Sequence, residues 1–225
     1  YPVSRVEHLL NDAACRACVA CEAVPSTTWV GITQHVGELV MRGAAARERQ
    51  LPRITPDQCL YILYTSGSTG KPKGAGVSHA GAVNLLDWYT RELSIAPEDR
   101  ALLASSIGFD LTQKNLFAFP AAGGTLVVAG RSVPIGQDLV RAVEQHQIGF
   151  INCAPSVLYS GIDSGADLGG LASLKAVILG GEEINLRRLA DWTQRDDNRC
   201  RVINSYGPTE CTDVVSSFDL GVRAR

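Results

Sequence analysis

Apolar positions recur along this chain with two periods. Val6, Leu9 and Leu10 share one helical face within residues 3–12, and residues 17–24 offer a strand behind it. Residues 33–49, rich in Ala and Arg, read as a helix or a poorly ordered connection. A turn over residues 52–56 precedes Leu60-Tyr61-Ile62-Leu63-Tyr64, a run that predicts a buried strand. Ser78 stands where an N-cap belongs, ahead of a helix carrying Val83, Leu85, Leu86 and Trp88. Short apolar runs then alternate with helical segments. Residues 101–105 form an apolar run, 116–119 continue a helix that ends near Gly123-Gly124, and 125–129 are a strand. Residues 134–145 contain a helix and 148–153 a strand, with a helix at 155–162 and a strand at 176–179. A helix over 183–193 and a strand over 201–205 complete the series. Strands alternating with helices predict an α/β fold, with mainly parallel strands flanked by helices.

Bulk properties narrow the field without choosing a function. The 225 residues allow one domain or two small ones. Lys and Arg total 21 against 23 Asp and Glu, a net charge of -2, which gives no footprint for a nucleic-acid partner. No apolar stretch has the length of a membrane span, so no membrane partner is expected. The start, Tyr1-Pro2-Val3-Ser4-Arg5, has neither an initiator Met nor a signal-peptide pattern. The sequence is therefore expected to lie within a longer, cytoplasmic enzyme. Its seven cysteines argue against a disulfide framework, because the count is odd. Cys15, Cys18 and Cys21 have a cluster-binding spacing, but Pro25 follows where a fourth ligand would be needed. Among Ala and Val, these thiols read as small hydrophobes of a kind often buried.

Candidate chemistry concentrates at Thr65-Ser66-Gly67-Ser68-Thr69-Gly70-Lys71-Pro72-Lys73-Gly74. Glycines let a backbone approach a phosphate closely, hydroxyls and successive N–H groups bind its oxygens, and lysines supply positive charge. A loop at the end of a strand is where open α/β sheets bind ligands. The spacing differs from the P-loop, because Thr65 stands five residues before Gly70 and Pro72 follows Lys71. A solvated Gly/Ser linker is the plain alternative.

This loop resembles the phosphate loop of the adenylate-forming enzymes, which include acyl-CoA ligases, luciferases and adenylation domains of nonribosomal peptide synthetases. Asn204-Ser205-Tyr206-Gly207-Pro208-Thr209-Glu210 resembles that family's second signature. The resemblance places residues 1–225 in the large N-terminal adenylation core, with the C-terminal lid domain, its lysine and the ribose-binding Asp expected beyond residue 225. It implies ATP and Mg²⁺ as cofactors. It assigns Thr65, Ser66, Gly67, Ser68, Thr69, Gly70 and Lys73 to ATP, with Thr69 and Lys73 acting on the reacting phosphates. Tyr206 would stack on adenine, Asn204 would touch the adenine edge, and Gly207 would also belong to the ATP site. Thr209 and Glu210 would approach the phosphates, with Glu210 as a metal ligand. A carboxylate is a hard oxygen donor suited to Mg²⁺, and a tyrosine ring is a flat stacking surface. Gly180, Gly181 and Glu182 resemble the adenine-side loop, although an ordinary strand-to-helix turn fits them too. His79 falls where the family often has a His, and helix capping or core packing explains it nearly as well.

By the same resemblance Asp110 pairs with a substrate ammonium, which favours an α-amino acid over aryl or fatty acids. A helix N-cap is its other reading. The remaining pocket positions are Leu111, Lys114, Asn152, Ile178, Gly180, Ser205, Asp213 and Val214. One cation, one anion and two hydrogen-bonding groups imply a polar substrate side chain: acidic and facing Lys114, or an amide or hydroxyl. Alternatively, Lys114 and Asp213 only neutralise each other. The implied activity is formation of an aminoacyl-adenylate and its transfer to the thiol of a peptidyl carrier domain, beside other synthetase domains. An acyl-CoA or aryl-acid ligase, or a non-catalytic nucleotide- or amino-acid-binding module, are the rival readings.

Overall fold

The computed structural model describes residues 2–21, 28–44, 52–66, 72–130 and 132–221. Two compact units divide the chain, Tyr1–Gly76 and Val77–Arg225. In the first, helix α1 (Val3–Asp12) leads to strand β1 (Ala17–Ala20), which pairs in parallel with β2 (Ile32–His35) from Ala17↔Ile32 to Ala20↔His35. Helix α2 (Val36–Ala44) follows directly. The Ala- and Arg-rich stretch expected to be one helix or a connection is thus divided. Ile32 and Thr33 are β-branched and find a strand partner, whereas the helix formers begin after His35. Strand β1 forms as expected but lies outside a core, with Cys15 and Cys18 half-buried, Cys21 exposed and Val19 57% exposed.

Strand β3 (Cys59–Thr65) covers the predicted run, yet none of its residues is buried. Its only sheet partner among the described residues is β4 (Lys73–Ser78). A two-stranded sheet has two edges and little area to cover it, so Ile62 stays 44% exposed. The composition of β4, Lys-Gly-Ala-Gly-Val-Ser, offers no apolar alternation, and its strand was not foreseen. Its glycines are the reason it fits: a Cβ on Gly74 would come within 2.9 Å of Ile62 Cγ2 and 3.1 Å of Tyr64 Cζ.

The second unit begins at Val77. Ser78 caps helix α3 (His79–Leu93), accepting a hydrogen bond from the Gly81 N–H at 3.1 Å. Then come β5 (Arg100–Leu102), α4 (Asp110–Ala121), β6 (Thr125–Val127), α5 (Gln137–His146), β7 (Phe150–Cys153), α6 (Pro155–Ile162), β8 (Ala176–Leu179), α7 (Leu186–Thr193), β9 (Arg201–Tyr206) and β10 (Ser216–Asp219). One six-stranded sheet runs β10-β9-β8-β7-β5-β6, parallel throughout except for the antiparallel β10–β9 pair. Every residue of β7 and β8 is buried, as a sheet covered on both faces requires.

Alternation along the strands sorts the core into two layers. Ile151, Cys153, Val177, Leu179 and Val202 join Leu139, Val143, Leu158, Leu189 and Trp192 on the side of α5, α6 and α7. Phe150, Ala176, Ile178 and Ile203 join Tyr89, Leu93, Ala118 and Phe119 on the side of α3 and α4. Asn152 and Ile178 therefore point to the α3/α4 side, which fixes where the candidate pocket forms. No helix among the described residues is long and apolar enough to cross a membrane. Truncating fully buried Leu179 to Ala should cost about 2–5 kcal/mol in denaturant unfolding, while Val83→Ala, at a position 62% exposed, should change stability by less than about 0.5 kcal/mol.

Candidate nucleotide and substrate site

Parallel strands deliver their following loops to one edge of the sheet, at the strands' C-terminal ends. After β8 comes Gly180 to Asn185, and after β9 comes Gly207 to Val215. Asn204, Ser205 and Tyr206 occupy the end of β9, with Ser205 buried and Tyr206 69% exposed. The Ser205 hydroxyl donates to the Leu179 carbonyl at 3.2 Å. A Cβ on Gly180 would meet the Ser205 Oγ at 2.8 Å, so only glycine lets β8 and β9 end side by side. Tyr206, Gly207 and Pro208 form one wall of an open cleft of about 870 Å³ whose other wall includes Gly181, Glu182 and Ile184. The exposed Tyr206 ring thus presents a flat surface beside this cleft.

The loop after β9 turns back sharply. Tyr206 O accepts a hydrogen bond from the Val215 N–H at 2.9 Å, and a Cβ on Gly207 would overlap the Asp213 carbonyl oxygen. Thr212 and Asp213 adopt left-handed φ values of 64° and 82°, conformations that are strained for residues other than glycine. This turn carries the Asp213 side chain inward. There its carboxylate forms an ion pair with Lys114, which is 1% exposed. Burial pulls the Lys114 pKa down and pushes that of Asp213 up, and each partner's charge opposes the shift of the other. The pair is thus a buried ion pair whose two charges offset each other.

Four sequence-predicted groups converge on the first turns of α4. Asp110 is the first residue of that helix, where its backbone N–H groups favour a carboxylate. Its Oδ1 accepts from the Leu111 N–H at 2.7 Å and its Oδ2 from the Thr209 hydroxyl at 2.5 Å. Phe109, not Asp110, holds the N-cap position. Asn152 donates from Nδ2 to the Leu111 carbonyl at 2.6 Å, while its buried Oδ1 has no hydrogen-bond partner among the described residues. Lys114 Nζ lies 3.4 Å from the same carbonyl. Ile178 is 1% exposed within the adjoining apolar layer. Leu111 lies 3.9 Å from where a Cβ on Gly181 would stand. Val214, half-buried, borders a small cavity of about 140 Å³ with Trp88 and Cys211.

Glu182 points its carboxylate at α6, accepting from the Ser156 N–H at 3.1 Å and the Ser156 hydroxyl at 2.9 Å. Glu210 is exposed within a short 3-10 turn, Thr209–Cys211. No group of three His, Cys, Asp or Glu side chains gathers at a metal-binding distance among the described residues. His79, half-buried, opens α3 directly after the cap. Thr65 ends β3, exposed Ser66 follows it, and exposed Lys73 opens β4. Gly67, Ser68, Thr69 and Gly70 lie outside the described residues.

Sequence reasoning missed two buried neighbours of the pocket. The Tyr89 hydroxyl donates to Asn115 Oδ1 at 3.0 Å, and Lys114 Nζ lies 5.8 Å from the Tyr89 ring centroid. Burial pushes the Tyr89 phenol well above its usual range. The available signal was spacing: Tyr89 lies four residues after Leu85 on the buried face of α3, and Asn115 adjoins Lys114 in a helix whose interior is unusually polar.

The AMP-binding enzyme family matches residues 1–224. The chain belongs to that family. Among curated relatives, phosphinothricin tripeptide synthetase PhsC of Streptomyces viridochromogenes is 31% identical over 219 residues, covering 94% of this chain and 19% of the relative. Bacitracin synthase 3 of Bacillus licheniformis is 32% identical over 225 residues, covering 98% of this chain and 3% of the relative. The AMP-binding chain therefore spans a fifth or less of the length of these synthetases. The solved nonribosomal peptide synthetase FmoA3 superposes with a TM-score of 0.85 at 25% identity, over 98% of this chain and 24% of that one. The N-terminal subdomain of Klebsiella oxytoca NpsA shares the fold, with a TM-score of 0.85 at 22% identity over 98% of this chain and 54% of that one. The fold is thus that of the N-terminal subdomain of a synthetase adenylation domain.

Two variants test the architecture around the Lys114–Asp213 ion pair. Lys114→Met strands a buried carboxylate and should cost about 3–5 kcal/mol in chemical denaturation. Adding Asp213→Asn, which removes the charge and suits left-handed backbone, should restore most of that loss. Equal losses in the single and double variants would show that the pair is not what Lys114 contributes.

Proposed function

We propose that the protein activates an α-amino acid with ATP and passes the aminoacyl group to a carrier-protein thiol. The observation that carries this reading is the hydrogen bond from Thr209 to Asp110. It ties the residue read as ammonium partner to the motif read as phosphate contact, so one helix end serves both halves of a mixed anhydride. In the first step a carboxylate oxygen of the amino acid attacks the α-phosphorus and pyrophosphate leaves. In the second, a thiolate attacks the acyl carbon and AMP leaves. Asp110 would hold the ammonium, Tyr206 the adenine face and Asn204 its edge. Thr69 and Lys73 would neutralise charge on the phosphates as it shifts to the leaving group. Glu210 would hold Mg²⁺, which keeps several waters and phosphate oxygens as ligands and so needs few from the protein. We also read residues 1–225 as part of one N-terminal adenylation core.

The pocket supports a polar side chain. With Lys114 and Asp213 paired, no net charge awaits the substrate, which favours an amide or hydroxyl over a carboxylate. The unpartnered Asn152 Oδ1 would accept a hydrogen bond from such a group. Among structural neighbours, FmoA3 has a form bound to α-methyl-L-serine-AMP, and NpsA has been fused to a PCP domain. NpsA also binds 3-hydroxybenzoyl-AMSN, an aryl ligand, and aryl-acid activation is the competing reading. Asp110 weighs against it, because a carboxylate desolvated beside an aryl ring has no charge partner.

Amino-acid-dependent ATP–pyrophosphate exchange by the full-length protein is the direct measurement. Asp110→Asn should lower exchange about 10²–10³-fold while leaving ATP binding within about twofold, in line with loss of one well-placed charge. Exchange driven by benzoic acids and not by amino acids would establish the rival substrate class. Replacing Thr69 and Lys73 together by Ala should depress turnover with ATP by a similar factor. Unchanged kinetic constants in that double variant would remove both residues from the phosphate site.

A further inference from the structure

The wall of the cleft opposite Tyr206 is a short segment with little packing of its own. Gly181 turns sharply at φ 81°, and Asn185 caps α7 by accepting from the Arg187 N–H at 3.1 Å. Residues 183–187 also border a second cavity of about 560 Å³, so open space adjoins this segment beyond the main cleft. Apart from Ile184, which packs against the core, the segment depends on polar anchors. Two come from α6. At one end, Glu182 receives both the N–H and the hydroxyl of Ser156. At the other, the Asn185 N–H donates to the Tyr159 hydroxyl at 2.6 Å.

The spacing of these anchors matches. Ser156 and Tyr159 are three residues apart on a helix, hence on one face and about one turn apart. Glu182 and Asn185 are likewise three residues apart on the loop. Each anchor is itself held. Pro155 occupies the first turn of α6, where no N–H is lost, and the Ser156 N–H is one of the helix's unsatisfied donors, a favourable place for a carboxylate. The Tyr159 ring is buried, and the Arg188 guanidinium lies 4.3 Å from its centroid while also pairing with Asp163.

We propose that Ser156 and Tyr159 are positioning residues that set the width of the nucleotide cleft. Glu182 then serves adenine binding through α6, by fixing the wall, and not by contacting the ligand. The proposal rests on reading this cleft as the adenine site.

The experiment measures ATP affinity of the full-length protein by titration calorimetry, together with KM for ATP and for the amino acid in pyrophosphate exchange. Ser156→Ala and Tyr159→Phe should each weaken ATP binding and raise its KM about 3–10-fold, the size of one lost hydrogen bond. Amino-acid KM and kcat should stay within about twofold. Ser156→Thr keeps the hydroxyl and should keep the affinity. Ser160→Ala is the control on the same helix, because the Ser160 hydroxyl holds the Gly136 N–H at 2.9 Å, away from this wall. It should bind ATP as the wild type does, whatever it loses in thermal stability. Wild-type affinity in Ser156→Ala and Tyr159→Phe, or equal weakening in Ser160→Ala, would overturn the positioning role and leave the adenine reading intact. A wild-type protein that binds no ATP would overturn the adenine reading, and the positioning role with it.

Discussion

Both faces of β7 and β8 are closed off from water, and much of the second unit follows from that. A strand buried on both sides has side chains in two separate layers, assigned by odd and even position. Ile151, Cys153, Val177 and Leu179 are thereby committed to the α5–α7 layer, and Phe150, Asn152, Ala176 and Ile178 to the α3/α4 layer. Backbone polar groups of β7 and β8 are paired on both sides, so along these strands free donors and acceptors appear where the strands end. Within the second unit, the candidate residues gather in the loops after β8 and β9 and at the head of α4. Where Asn152 interrupts the apolar series of β7, it is the first polar group on the α3/α4 side, and it meets Leu111 there.

Burying an ion pair inside such a layer is costly, because each charge loses its water. The protein offsets the loss of hydration by bringing Asp213 against Lys114 and stacking hydrogen-bonding groups around them, at the expense of left-handed backbone at Thr212 and Asp213. Such strain persists only where surrounding contacts over-determine it. Gly207 and Gly81 make that possible, since a Cβ at either would strike the 212–213 turn.

Most of the second unit was legible in the sequence because its period is strong. The strand at 176–179 and the helix at 155–162 match their predicted bounds, and the Ser78 cap forms as the residue type implies. The first unit was less legible. Its strands are short and half-exposed, so burial leaves little trace in their composition. The apolar run of β3 signalled a core position that a two-stranded sheet cannot provide, and β4 is built of residues whose virtue is small size. Strand β10 was missed for a related reason: Ser216 to Asp219 is exposed along its whole length and is ordered by pairing with β9, not by burial. Within the site, motif residues were legible as chemistry, but their partners were not. Nothing local connects Asp110 to Thr209, Lys114 to Asp213, or Glu182 to Ser156, which are 99, 99 and 26 residues apart.

Those long-range partners alter what the motif residues can do. A carboxylate at a helix N-terminus that also accepts a hydroxyl hydrogen bond is held in one orientation. Asp110 is held in this way by the Leu111 N–H and by the Thr209 hydroxyl. A phosphate oxygen arriving at Thr209 would draw its hydrogen bond away from Asp110 and free one lone pair for an ammonium. Under the proposed function, nucleotide and amino acid would then favour each other's binding through a single shared hydroxyl, a coupling that thermodynamic reciprocity requires to be equal in both directions. The energetic range of such a coupling is bounded by one charge-assisted hydrogen bond, about 1.5–3 kcal/mol, or roughly one to two decades in affinity.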